Sequence, residues 1–448
     1  MDFSSEYKQK LRTAEEAVKI VESGDAVDYG SFNAKPIQCD KALAKRADEL
    51  KDVNVFCVLT LPPFPEVVSY PDSFTYNDGH FSKLSRIIQH EFSLAYYVPI
   101  FYHSVPDYYR RLINTERRIA ILQTAPMDSS GHFNFGPQNS ENQAKVEVAD
   151  KVIVEVNKNM PYCLGGTETG IHISRVEYIV EAPDDQYMYS VDPEEPSPED
   201  LQISRNIVSF LRDGNCIQLG IGGMSNAIGK MIIDSDLKNL GGHTEMLSDA
   251  FIDLIESGKM NGSMKPFDRH AVPYTFAVGS QRLYDFINLN AGVASYPVNY
   301  TNDPRNIAKI DNFMSINSGL QADLYGQVNA ESIGPRQISG NGGMTDFVIG
   351  SQWSKNGKSF ITINATFFDS DGKMQSGIVP FFKPNSIVTI PRQIVDYIVT
   401  EWGVARLKAK STWQRAELMI NIAHPDFRDD LIQKAEGAKI WRKSNKIV

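Results

Sequence analysis

Short apolar, β-branched runs alternate with amphipathic segments along almost all of this 448-residue chain, and that alternation constrains the fold more than any single motif. Ala26–Tyr29, Val53–Thr60, Arg118–Gln123 and Lys151–Val156 in the first half read as strands. Asn215–Leu219, Phe313–Ser315, Ser359–Ile363 and Ser386–Ile390 in the second half read the same way. Ala14–Ser23, Lys41–Leu50 and Leu201–Arg212 carry a helical period between the runs. A crossover that holds a helix is what joins parallel neighbours, so the pattern predicts α/β domains with mainly parallel sheets.

One stretch breaks the pattern. In Glu181–Asp200, the part between Asp192 and Asp200 holds three prolines and a cluster of acids, a composition that neither packs as a core strand nor sustains a helix interior. It reads as a linker between two open α/β domains, residues 1–190 and 191–448, the second carrying Glu245, with an active site expected in the cleft between them. Ser197 or Asp200 is placed to cap the next helix, with Pro198 tolerated in its first turn. Each half opens with a helix, a strand and a glycine-bearing turn (Asp28-Tyr29-Gly30 and Leu219-Gly220-Ile221-Gly222), a weak internal echo.

Composition removes several classes of function. A hydrophobic share of 42% is that of a globular chain rather than a disordered one. The net charge of −10 argues against nucleic acid or an anionic membrane as the main partner. Cys39, Cys57, Cys163 and Cys216 show no close pairing, and no histidine spacing matches a metal motif, so neither a disulfide framework nor a metal is expected. No run of 18 uncharged apolar residues is present, and Met1 to Ala14 lacks the apolar centre of a signal peptide. A cytoplasmic protein without a membrane partner is the expectation.

The chemistry concentrates in two glycine-rich turns and one carboxylate. Gly220-Ile221-Gly222-Gly223-Met224 follows a strand and precedes the helical run Asn226–Ile233. Such a junction lies at the carboxyl edge of an α/β sheet, where bare amides at a helix start bind phosphate or an oxyanion. Ser225 stands where a dinucleotide fingerprint needs glycine, and a purely structural tight turn is the competing reading. Gly340-Asn341-Gly342-Gly343 is a second such turn, read as close backbone approach to a ligand or as a hinge. Glu245, in Gly242-His243-Thr244-Glu245-Met246, is placed at or near a helix start, either serving that start or acting as a nucleophile. Free amides beside a carboxylate point to acyl or coenzyme A transfer rather than hydride transfer.

These residues resemble the acetyl-CoA hydrolase/transferase group of family I coenzyme A transferases. The resemblance runs through Gly220–Met224, His243–Asp249, Asp323–Glu331, Gln337–Phe347 and Ser411–Ala416. It implies that Glu245 is the nucleophile. Gly220, Ile221, Gly222, Gly223 and Met224 would bind coenzyme A, with Leu320, beyond the strand at Phe313–Asn317, lining the same site. Gly343 would add coenzyme A contacts and oxyanion stabilisation, and Asn302 would neighbour the glutamate. Ser225, where proline is expected in the butyryl-specific members, and Ser31–Gln38 depart from the pattern and leave the acyl chain open.

The reaction so implied moves coenzyme A between a short-chain acyl-CoA, butyryl-CoA first, and acetate. It is ping-pong, with coenzyme A as substrate and as part of a covalent glutamyl thioester, and with no permanently bound cofactor. The partners would be acyl-CoA and a short-chain carboxylate, the assembly a homodimer or homotetramer. Use of 4-hydroxybutyrate or propionate, acyl-CoA hydrolysis, and non-catalytic coenzyme A binding are the alternatives.

Overall fold

In a computed structural model of the chain, residues 3–111 and 116–442 are described; Met1 and Asp2 of the charged N-terminal stretch lie outside them. The chain forms two compact units, neither contiguous in sequence. The first comprises Met1–Asp192, Glu245–Leu247 and Pro273–Asn302, and the second Pro193–Thr244, Ser248–Val272 and Asp303–Val448. The first crossing falls inside the acidic, proline-rich run. Glu245 packs with the first unit, whereas the sequence puts it with the second half of the chain. The reason is local pairing: Met246–Leu247 runs parallel to Phe276–Ala277, and the Glu245 carbonyl accepts the Thr275 N–H at 2.9 Å. Met246 then packs on an apolar cluster that includes Phe32, Tyr102, Phe276 and Val298.

The first unit is built on a seven-stranded sheet. Its spatial order is Tyr96–Tyr97, Phe74–Asp78, Val53–Cys57, Ala26–Tyr29, Arg118–Thr124, Lys151–Val156 and Tyr178–Glu181, with every neighbouring pair parallel. Alternation puts Val27, Tyr29, Val53, Val55, Phe74, Tyr76 and Ile119 into one core, where the helix Gln38–Ala44 adds Cys39, Ala42 and Leu43. That helix starts on a buried carboxylate: Glu155 accepts N–H bonds from Ile37, Gln38 and Cys39 at 3.0, 3.0 and 2.9 Å.

The second unit carries a six-stranded sheet ordered Gly241–Gly242, Cys216–Gln218, Phe313–Ser318, Lys358–Thr362, Tyr397–Thr400 and Gly403–Arg406. All neighbours are parallel except the last pair. Helix Pro198–Val208 follows the linker. Its cap is Ser197, whose hydroxyl accepts the Asp200 N–H while the Asp200 carboxylate takes the Ser197 N–H, with Pro198 in the first turn. The run Ser386–Ile390 forms no strand. Only Ile390 pairs, in an isolated antiparallel bridge to Val328, because Pro384 and Asn385 precede it and Pro391 ends it.

In each sheet the order reverses once. In the first unit this happens where Ala26–Tyr29 meets Arg118–Thr124, and in the second where Cys216–Gln218 meets Phe313–Ser318. Such a reversal leaves a crevice outside the carboxyl ends of the two strands. Gly30 and Ser31 follow the first strand of one sheet, and Gly220 and Ile221 the first strand of the other. The glycine-bearing echo in the sequence is therefore the same topological position used twice.

Replacing Glu155 with Gln removes one of the two oxygens that hold the start of helix Gln38–Ala44. It is expected to lower stability by roughly 1–3 kcal/mol, read from the urea midpoint at unchanged m-value.

Candidate active site

Glu245 is half-buried and precedes a two-residue strand rather than a helix. The helix begins only at Asp249, after Ser248 in extended backbone, so no helix dipole acts on the Glu245 carboxylate from its own segment. Its orientation is set instead by Asn302. The Asn302 side-chain amide donates to Glu245 Oε2 at 2.6 Å, and Thr301 Oγ1 donates to Asn302 Oδ1 at 2.9 Å. Asn302 and Thr301 are buried, and the hydroxyl fixes which end of the amide faces the carboxylate.

A second, wholly buried carboxylate lies in the same unit. Glu141 pairs with Lys145 one helical turn on, at 2.6 Å, with neither side chain exposed. Lys145 also donates to the Tyr29 carbonyl and to Ser31 Oγ, each at 2.9 Å. Ser31 and Ser140 both donate their hydroxyls to Glu141, and the Tyr102 hydroxyl bonds Ser140. Burial alone pushes the Glu141 carboxyl up. The Lys145 charge and the bonds from Lys145, Ser140 and Ser31 outweigh burial and hold it below its ordinary 4.5. Burial, then the Glu141 and Glu245 charges, pushes the Tyr102 phenol well up, so it stays protonated. None of Tyr102, Ser140, Glu141 and Lys145 stands out in a reading of glycine turns. Their one signal is the Glu–Lys spacing of four in Glu141-Asn142-Gln143-Ala144-Lys145, which passes for an exposed helix pair.

The glycine turns belong to the second unit. Gly222, at φ +105, occupies backbone that side chains rarely adopt, and it precedes the helix Gly223–Ile233. Gly223 has a packing reason: a Cβ there would come 2.9 Å from Pro196 Cα and 3.1 Å from the Glu195 carbonyl. Gly220 faces open space, and Ile221 is exposed. Met224 and Leu320 come together in the wall of a cavity of about 400 Å³, with Gly319, Ile333, Thr362 and Phe367. Strand Phe313–Ser318 delivers Gly319 and Leu320 to the crevice that also receives Gly220, as the strand order requires. Gly343 does not line this cavity; it is the residue before helix Met344–Trp353, at an ordinary φ of −91. Among the described residues, no group of three or more His, Cys, Asp or Glu is placed to hold a metal ion, and no helix is long and apolar enough to cross a membrane.

An open α/β protein results, with glycine-bearing strand ends at both sheet reversals and a carboxylate locked by a neutral amide. Family profiles match at both ends: the acetyl-CoA hydrolase/transferase N-terminal domain over residues 1–188 and its C-terminal domain over residues 279–435. The chain is 50% identical to a butyryl-CoA:acetate CoA-transferase of Anaerostipes caccae over the whole of both chains. Among solved structures, RipA from Yersinia pestis superposes with a TM-score of 0.88 at 33% identity, covering 98% of this chain and all of that one. A 4-hydroxybutyrate CoA-transferase from Porphyromonas gingivalis gives 0.77 at 32% identity, covering 97% of this chain and all of that one. The chain belongs to the acetyl-CoA hydrolase/transferase family.

Because the Glu141 carboxyl is held down in the fold, its contribution to stability is present above the unfolded value near 4.5. It is lost as pH falls through the folded value. Glu141→Gln is therefore expected to be less stable at neutral pH yet to lose less on acidification below about pH 4.5. Urea midpoints across that range check the crossing slopes.

Proposed function

We propose that this chain is a CoA-transferase that moves coenzyme A between butyryl-CoA and acetate by a ping-pong route, with Glu245 as the nucleophile. The observation that carries the reading is 50% identity along the whole of both chains to the Anaerostipes caccae butyryl-CoA:acetate CoA-transferase. The role of Glu245 is supported by its geometry, since Asn302 holds Oε2 and so orients Oε1 for attack.

Oε1 of the ionised Glu245 attacks the thioester carbonyl carbon of butyryl-CoA. The C–S bond breaks, leaving a butyryl–glutamyl anhydride and the coenzyme A thiolate. The thiolate then attacks the glutamyl carbonyl carbon and expels butyrate, which gives a glutamyl–CoA thioester. Acetate attacks that carbonyl, the thiolate departs, and its attack on the acetyl carbon of the new anhydride yields acetyl-CoA and the free carboxylate. No proton is consumed in the cycle, so no general acid is needed. Each tetrahedral intermediate carries an oxyanion, for which the Gly343 amide is the donor we assign. Gly220 to Met224, with Leu320, form the coenzyme A wall; the cavity shared by Met224 and Leu320 supports this.

Butyryl-CoA without acetate is expected to leave the wild-type protein heavier by one coenzyme A, on a borohydride-sensitive thioester at Glu245. Double-reciprocal plots should be parallel. Glu245→Ala should lose transfer altogether. Glu245→Asp, with its carboxylate retracted by about one methylene, should lose roughly 100-fold. Intersecting lines with no adduct would replace this route by direct transfer in a ternary complex, and turnover without acetate would make the protein a hydrolase.

The coenzyme A wall has its own test. Gly220→Ala adds a methyl into open space and should leave the thermal midpoint unchanged while raising KM for butyryl-CoA. Gly222→Ala should lower the midpoint as well, because alanine is strained at φ +105. An unaltered KM in Gly220→Ala would make that turn structural only.

A further inference from the structure

We propose that Ser140, seated on the buried Glu141–Lys145 pair and carrying the Tyr102 hydroxyl, is a positioning residue for Glu245; this rests on Glu245 being the nucleophile. Ser140 holds φ +47, a left-handed conformation uncommon for a residue with a side chain. Its hydroxyl proton goes to the Glu141 carboxylate, so the bond to Tyr102 is donated by the phenol. The hydroxyl thus receives one proton and gives one, and an unusual backbone is locked from its side chain.

What that backbone holds is the nucleophile, from two directions. The Ser140 N–H donates to the Thr275 carbonyl at 3.1 Å, and the Thr275 N–H donates to the Glu245 carbonyl at 2.9 Å. The Ser140 carbonyl accepts the Val298 N–H at 2.8 Å, at the start of the short helix Val298–Thr301. The Val298 carbonyl accepts the Asn302 N–H at 3.0 Å, and Asn302 is the donor to Glu245 Oε2. One serine therefore sets both the main chain of Glu245 and the amide that aims its carboxylate. Glu141 and Lys145, unexposed and paired, are a fixed support for it.

A network that only stabilised the fold would lower the unfolding midpoint and leave the chemistry of folded molecules alone. The test compares Tyr102→Phe, Ser140→Ala and Ser140→Gly with wild type; the glycine variant keeps φ +47 accessible while removing the hydroxyl. The readouts are the single-turnover rate of coenzyme A adduct formation with butyryl-CoA, kcat and KM, and the thermal midpoint. The adduct rate and kcat are expected to fall together, about 10- to 100-fold, with KM for butyryl-CoA within about twofold of wild type. Should the Ser140 variants fail to fold, Tyr102→Phe alone decides, since it removes one hydroxyl and keeps the ring. An adduct forming as fast in folded variants as in wild type would overturn the inference and leave the nucleophile intact. Absence of adduct in wild type itself would remove the nucleophile assignment and this inference with it.

Discussion

A lysine and a glutamate with no solvent exposure, 2.6 Å apart, are the constraint around which the first unit is arranged. Either charge left alone in that interior would be strongly unfavourable, so the pair forces its surroundings to supply every remaining bond. Lys145 takes the last carbonyl of strand Ala26–Tyr29 and the hydroxyl of Ser31, and Glu141 takes the hydroxyls of Ser31 and Ser140. The carboxyl end of a sheet strand, the loop after it and the segment from Ser140 to Lys145 are thereby joined at one point. That point lies at the reversal in strand order, where a parallel sheet leaves room for a ligand. The ion pair adds less to stability than its partners suggest, since desolvation opposes it; what it supplies is a defined geometry.

The second unit reaches the same topological position by the opposite means. Its first strand is followed by Gly220-Ile221-Gly222-Gly223, a turn with three glycines in four positions. Gly222 needs left-handed backbone, and Gly223 needs to lie against Pro196 so that the helix can start there.

The parallel sheets were legible because period-two runs separated by helical segments admit few other arrangements, and most of the runs expected to be strands are strands in the fold. Ser386–Ile390 misled, because a short β-branched run next to proline looks like a strand until pairing is asked of it. Glu245 was singled out from its motif, and its setting was misread. The apolar period after it belongs to a helix that starts four residues later, and the pairing with Phe276–Ala277 is a contact that sequence spacing does not reveal. The contacts of Ser140 and Tyr102 are illegible for a related reason. A serine's left-handed backbone and a tyrosine's buried hydroxyl have no signature along the chain; they exist only once Glu141 is buried.

Two glutamates in one unit show how environment divides roles that residue type leaves equal. Glu141 is fully buried, paired with a cation and bonded by two hydroxyls, so its charge is spent on local geometry and its carboxyl is held below 4.5. A carboxylate so neutralised is a poor nucleophile, because attack would have to break the ion pair and strand Lys145. Glu245 is half-buried, and the bond described on its side chain comes from the neutral amide of Asn302. An amide aligns a carboxylate through a neutral donor, where the Glu141 carboxylate is held by a cation. The donor must itself be rigid for this to help, and Asn302 is rigid because Thr301 fixes its oxygen and Val298 its main chain. Through Ser140 and Val298 the main-chain bonds run on from the buried glutamate to the amide that holds the half-buried one.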